Sequence, residues 1–135
     1  MKKYKLSDKT TTTPCGTVLH RIVATTTFTL ACGLIIPEGD FGGWIEKESN
    51  LSDNGWVSDN AQVYGNAQVS GNAWVSDNAQ IFGEAKVSGD TLVSGNALVC
   101  GNAKVSGYAH VSGNAQVCGN AQVSGNARVG DDANG

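Results

Sequence analysis

A chain of 135 residues with 18 glycines, 2 prolines and a formal net charge of −3 is one domain, or one solenoid with a cap. So small a charge gives no argument for a nucleic-acid surface, a membrane surface or a DNA mimic, so neither nucleic acid nor membrane is expected as a partner. Four cysteines, at 15, 32, 100 and 118, form no CxxC and no metal-ligand spacing, so neither a zinc centre nor a cofactor is expected.

Residues 1–42 are predicted to form a small N-terminal β cap. Lys3 to Leu6 and Thr17 to Phe28 are β-prone, with turn residues at Ser7–Thr10 and Pro14–Gly16. A third apolar run, Leu30 to Ile36, closes at Pro37-Glu38-Gly39-Asp40. The start MKKYKLSDK is not followed by an apolar signal core, and His20, Arg21 and five threonines break up Thr17–Ile36 as a membrane span. A cytoplasmic location follows. The cap is expected to cover a rung of β-structure whose open edge would otherwise invite pairing.

Residues 43–135 repeat every six residues. The aliphatic of each hexad is Ile45, Leu51, Val57, Val63, Val69, Val75, Ile81, Val87, Val93, Val99, Val105, Val111, Val117, Val123 and Val129, which makes 15 hexapeptides. A period of six matches no helical stripe, whereas a short strand plus a turn fits it, and hexapeptide repeats mean a parallel β-helix. In Ala61-Gln62-Val63-Tyr64, alternation points Ala and Val inward and Gln and Tyr outward. Gly65-Asn66, or Asp-Asn at 59–60 and 77–78, supplies turn residues that tolerate positive φ.

Rows of 18 residues starting at Trp56 place Trp over Trp, Tyr64 over Phe82 and Cys100 over Cys118. Three hexads per coil therefore give a triangular prism of about five coils, a rod roughly 24 Å long. A disulfide between directly stacked Cys100 and Cys118 is expected to be strained, so buried or semi-buried thiols are predicted.

The rows sort the outward residues into three faces. The first carries Trp56, Trp74, Leu92, His110 and Arg128, flanked by Ser58, Ser76, Ser94 and Ser112. The second carries Trp44, Gln62, Gln80, Leu98 and Gln116, with Tyr64, Phe82, Cys100 and Cys118 beside them. The third is polar: Asn50, Gln68, Lys86, Lys104 and Gln122, with serines at 52, 70, 88, 106 and 124. Asparagines 60, 78, 96 and 114 stack at one corner and are read as amide ladders. An aromatic and apolar stripe marks an interface unless the cap folds over it, so Trp56, Trp74, Leu92, His110, Arg128, Tyr64, Phe82, Leu98 and Cys100 are the candidate interface residues. Two adjacent apolar faces on a prism suit cyclic packing, and a two-fold dimer through the Trp face fits the same residues.

Val-x-Gly-Asn-Ala repeats with a small residue two before each aliphatic resemble the hexapeptide-repeat superfamily, whose resemblance implies an all-β, left-handed parallel β-helix and trimeric assembly. The segment Gly39-Asp40-Phe41-Gly42-Gly43-Trp44-Ile45-Glu46, preceded by Thr17-Val18-Leu19-His20-Arg21-Ile22, is similar to hexapeptide-repeat proteins of bacteriophages, prophages and bacteria. That resemblance implies a phage or prophage origin and, with it, the host cytoplasm.

Chemistry is weakly signalled. Acyltransferases of similar fold use a His base in a cleft between subunits and loops extended from the coils. Here His110 is the one coil histidine, and no hexad is interrupted between residues 43 and 132. A base also needs a partner to orient it. Carbonic anhydrases of similar fold hold zinc with three histidines, and this chain has two. The recurring Asp of calcium-binding β-rolls and the Thr pairs of ice-binding faces are missing from the repeats. The expectation is a non-enzymatic binding or scaffold protein that inhibits or sequesters a host component, a defence protein or its signalling molecule, through a flat face as a homo-oligomer. The alternatives are an acyltransferase with His110 at a subunit interface and an end-to-end structural polymer joined through the C-terminus.

Overall fold

The computed structural model describes residues 4–14, 16–30, 33–52 and 55–129. The expected all-β solenoid of five stacked parallel coils is what forms. The N-terminal unit contributes β1 (Tyr4–Thr12), β2 (Val18–Ala24), β3 (Phe28–Thr29) and β4 (Ile35–Ile36). Next, β5 (Phe41–Ile45) opens the first coil, and thirteen two-residue strands follow, from Trp56–Val57 to Arg128–Val129.

The predicted 18-residue rows are the observed registers. Trp56 pairs with Trp74, Leu92 with Trp74 and with His110, and His110 with Arg128. On the second face Trp44 pairs with Gln62, Gln80 with Gln62 and with Leu98, and Leu98 with Gln116. The third stacks Gln68, Lys86, Lys104 and Gln122. Between coils, Leu98 N–H donates to Ala115 O at 2.9 Å and Cys100 N–H to Val117 O at 2.9 Å, and the same 17-residue step recurs along the rod. Ala and the hexad aliphatic point inward and are fully buried from Ala61 to Val111. Each such Val contributes about 1.5–3 kcal/mol of burial.

The turns repeat because their backbone must be left-handed. Gly89 has a φ of 72°, and a Cβ there would lie 2.7 Å from Gly107 N and O on the next coil. Asp59 and Asp77 take the same conformation with φ of 57° and 59°, as the Asp-Asn turns predicted. Thr91 replaces the inward Ala of its hexad and is fully buried, with its Oγ1 donating to Ser88 O at 2.7 Å. Its hydroxyl is therefore satisfied inside an apolar core.

The cap extends one face of the prism. In the second-face sheet the order begins β1-β2-β5, with β1 antiparallel to β2 and β2 antiparallel to β5. Residues Ser7–Thr10, predicted as a turn, lie inside β1, where the register slips between Leu6 and Thr10. A bulge in one strand thus does what a turn was expected to do. The β2–β5 register slips too, and β5 carries Gly42-Gly43 at that point. A Cβ on Gly42 would lie 2.5 Å from Val57 O, so only glycine lets β5 cross the first coil. The expected boundary between residues 42 and 43 falls within this strand. A hairpin of β3 and β4 pairs Phe28 with Ile36. Tyr4, Leu19, Ile22, Leu30 and Ile36 are buried in the cap, and its core runs into that of the coils.

Burial weakens along the last described coil, where Val123 and Val129 are half-buried and Ala127 is exposed. The open C-terminal end expected at residues 130–135 lies outside the described residues, as do Cys15 and Cys32.

Candidate interaction faces

The first face is shorter than its row of outward residues. Trp56 is 1% exposed, with the Phe28 ring edge-on to it at 5.0 Å between centroids. The expectation that Trp56 serves an interface is therefore corrected: the β3–β4 hairpin packs on it, because a large indole left bare at the first rung gains from edge-on aromatic contact and burial. Trp74, one rung on, stays half-buried and donates its Nε1–H to Ser58 Oγ at 2.9 Å. Leu92 and His110 continue the strip half-buried, and Arg128 ends it exposed.

On the second face Tyr64 and Phe82 stack with centroids 5.2 Å apart and planes 8° from parallel, next to half-buried Leu98 and Cys100. Trp44 carries the Arg21 guanidinium over its ring at 5.1 Å. Cys100 and Cys118 are joined by a disulfide, which corrects the expectation of thiols. The register that pairs Val99 with Val117 brings the two Cα atoms to 4.6 Å, inside the span a disulfide bridges. Direct stacking is thus compatible with the bond.

The third face is polar as expected, with one correction. Asn50 is fully buried, not outward. Its Oδ1 accepts from Glu46 N–H at 3.1 Å and Lys47 N–H at 2.8 Å, and its Nδ2 donates to Gly65 O at 3.3 Å and Ala67 O at 2.8 Å. It stitches the first coil to the second. The stacked corner asparagines form the expected ladder at Asn96 and Asn114, 3.2 Å apart, and a second at Asn102 and Asn120.

His110 sits on a flat wall between Leu92 and Arg128 in register. Among the described residues no group of three His, Cys, Asp or Glu side chains is placed to hold a metal ion. No helix among them is long and apolar enough to cross a membrane.

Sequence reasoning missed Tyr4, which closes the base of the first coil by sharing its hydroxyl proton between Leu51 O at 2.6 Å and Glu48 O at 2.8 Å. Burial, with the Glu48 carboxylate second, pushes the Tyr4 pKa up to about 12. No local pattern marks such a residue, because its partners lie 44 and 47 positions away.

These features define a β-solenoid repeat protein. A family model described as YdcK Beta solenoid repeat matches residues 61–77, 67–81 and 115–131, three stretches of the coil region. No curated protein matches the chain.

Proposed function

We propose that this solenoid is a non-enzymatic binding protein, phage- or prophage-encoded as its sequence resemblance implies, that works in the host cytoplasm as a homo-oligomer. In that role it inhibits or sequesters a host component, such as a defence protein or its signalling molecule, through a flat face. The carrying observation is a pair of apolar patches left on two adjacent walls: Trp74 over Leu92 on one, and Tyr64 stacked on Phe82 on the other, with Leu98 on the same wall. A face that meets a different face on the neighbouring protomer closes a ring, which favours a trimer, while the first face alone would give a two-fold dimer. The regular two-residue strands support a binding role over catalysis, because among the described residues from Trp56 to Val129 no loop rises from the coils to orient a base at His110.

Light scattering on the purified protein and on Phe82→Glu tests the assembly. A trimer or dimer that the substitution dissociates is expected, and a wild type that stays monomeric at high micromolar concentration overturns it. His110→Ala is expected to leave cellular activity intact. Activity lost with folding and assembly retained would favour the acyltransferase reading.

A further inference from the structure

Where the cap meets the coils, a cleft of about 240 Å³ remains. Its floor is apolar: buried Ile36 and Trp56, with half-buried Trp74. Leu34, Ile35 and Phe41 also line it and are exposed at 45%, 60% and 48%. They are three of the five exposed large hydrophobic side chains among the described residues. Single exposed apolar residues are ordinary on a protein surface, but three gathered around one cleft mark a contact site.

Two carboxylates, Asp40 and Asp59, complete the lining together with Ser58. Neither forms an ion pair among the described residues. Asp59 Oδ2 accepts a long 3.4 Å bond from Asp77 N–H. Two cations touch lining residues without pairing with either carboxylate among the described residues: Arg21 lies over Trp44 and donates to the Asp59 carbonyl oxygen at 3.4 Å, and Lys9 lies over the Phe41 ring at 5.4 Å.

We propose that this cleft docks a short segment of a partner protein that presents one aromatic or branched side chain next to a Lys or Arg. The volume suits one side chain and falls below the roughly 300–1,000 Å³ of sites that enclose whole small molecules. The apolar lips give the flanking residues of the segment a surface to cover, as around an interface hot spot. The two carboxylates select a cation beside the anchor and reject an acidic neighbour. This docking rests on the binding-protein reading above; it shares Trp74 with the first-face assembly patch, whereas Phe82, the residue that tests assembly, lies outside the cleft.

The test is titration of the full-length, nitrogen-15-labelled protein with three probes, followed by amide shifts. The probes are N-acetyl-Gly-Phe-Arg-Gly-amide, the same peptide with Glu in place of Arg, and free phenethylamine. The Arg peptide is expected to shift the amides of residues 35, 36, 41, 59 and 74 saturably, at least about fivefold more tightly than either other probe. Asp40→Asn with Asp59→Asn should reduce that preference to nothing, and Ile35→Ser should weaken both peptides alike. These exposed substitutions leave the coil core untouched. Equal binding of the Glu peptide, equal binding of phenethylamine, or shifts confined to other faces would each overturn the proposal.

Discussion

The Phe28 ring of the cap meets the Trp56 indole of the first coil edge-on, at 5.0 Å and 72°. This contact ties the hairpin to the first rung and decides which tryptophan faces outward. Phe28→Ala should expose Trp56, red-shift and quench-sensitise the indole emission, and cost about 1–3 kcal/mol, since Phe28 is only partly buried. Chemical unfolding followed by tryptophan fluorescence measures both. An unchanged emission maximum would mean that the hairpin does not cover Trp56 in solution.

Asn50 makes one hydrogen bond with each of four backbone groups from inside the first coil. Asn50→Ala leaves two N–H groups and two carbonyls without that partner and should cost about 2–4 kcal/mol. Asn50→Asp keeps the acceptor but aims a carboxylate oxygen at Gly65 O and Ala67 O, so it should be no better. Thermal unfolding of the two variants gives the answer. Wild-type stability in either would show that water replaces the amide.

The inward positions separate size from polarity. Val93→Asp buries an unpaired charge in the third coil and should prevent soluble folding. Thr91→Ala, two residues away, restores the residue that the other inward positions from Ala61 to Ala115 hold and should change stability by less than about 1 kcal/mol. Solubility of the first variant and the melting temperature of the second are the readouts.

Tyr4 links the fold to alkaline pH. Its pKa is raised to about 12 in the folded chain, from an ordinary value of 10.0, by burial first and Glu48 second. The unfolded phenol therefore ionises first as pH rises. The stabilisation is complete below pH 10 and is lost between about pH 10 and 12, amounting to on the order of 2 kcal/mol. Tyr4→Phe removes this dependence, at the cost of the bonds to Leu51 O and Glu48 O. Parallel pH–stability curves for wild type and variant above pH 10 would contradict the assignment.

The coils were legible in the sequence because each hexad is a complete local instruction. An inward Ala and Val, an outward residue and a Gly-Asn or Asp-Asn turn specify strand and corner within six positions. The match of Tyr64 to Phe82 and of Cys100 to Cys118 set three hexads per turn. What faces what along the rod followed, including the aromatic strip and the amide ladder at Asn96 and Asn114. The cap was less legible, because its strands are longer and irregular and Ser7–Thr10 carry turn-forming residues inside a bulged strand.

Sequence alone determined the solenoid, its register and the chemistry of its three walls, since short-range periodicity and turn residues fix them. Tertiary structure decided what happens where the period stops. Only three-dimensional packing shows that Phe28 takes Trp56 out of the surface, that Asn50 turns inward to satisfy four backbone groups, and that Tyr4 reaches Leu51. It also shows the stacked Cys100 and Cys118 bonded rather than left as thiols, and sets Asp40, Phe41 and Ile35 around Asp59. Apart from the local Asn50 bonds to Glu46 and Lys47, those contacts join residues 15 to 47 positions apart, and no local preference of the chain encodes such a meeting.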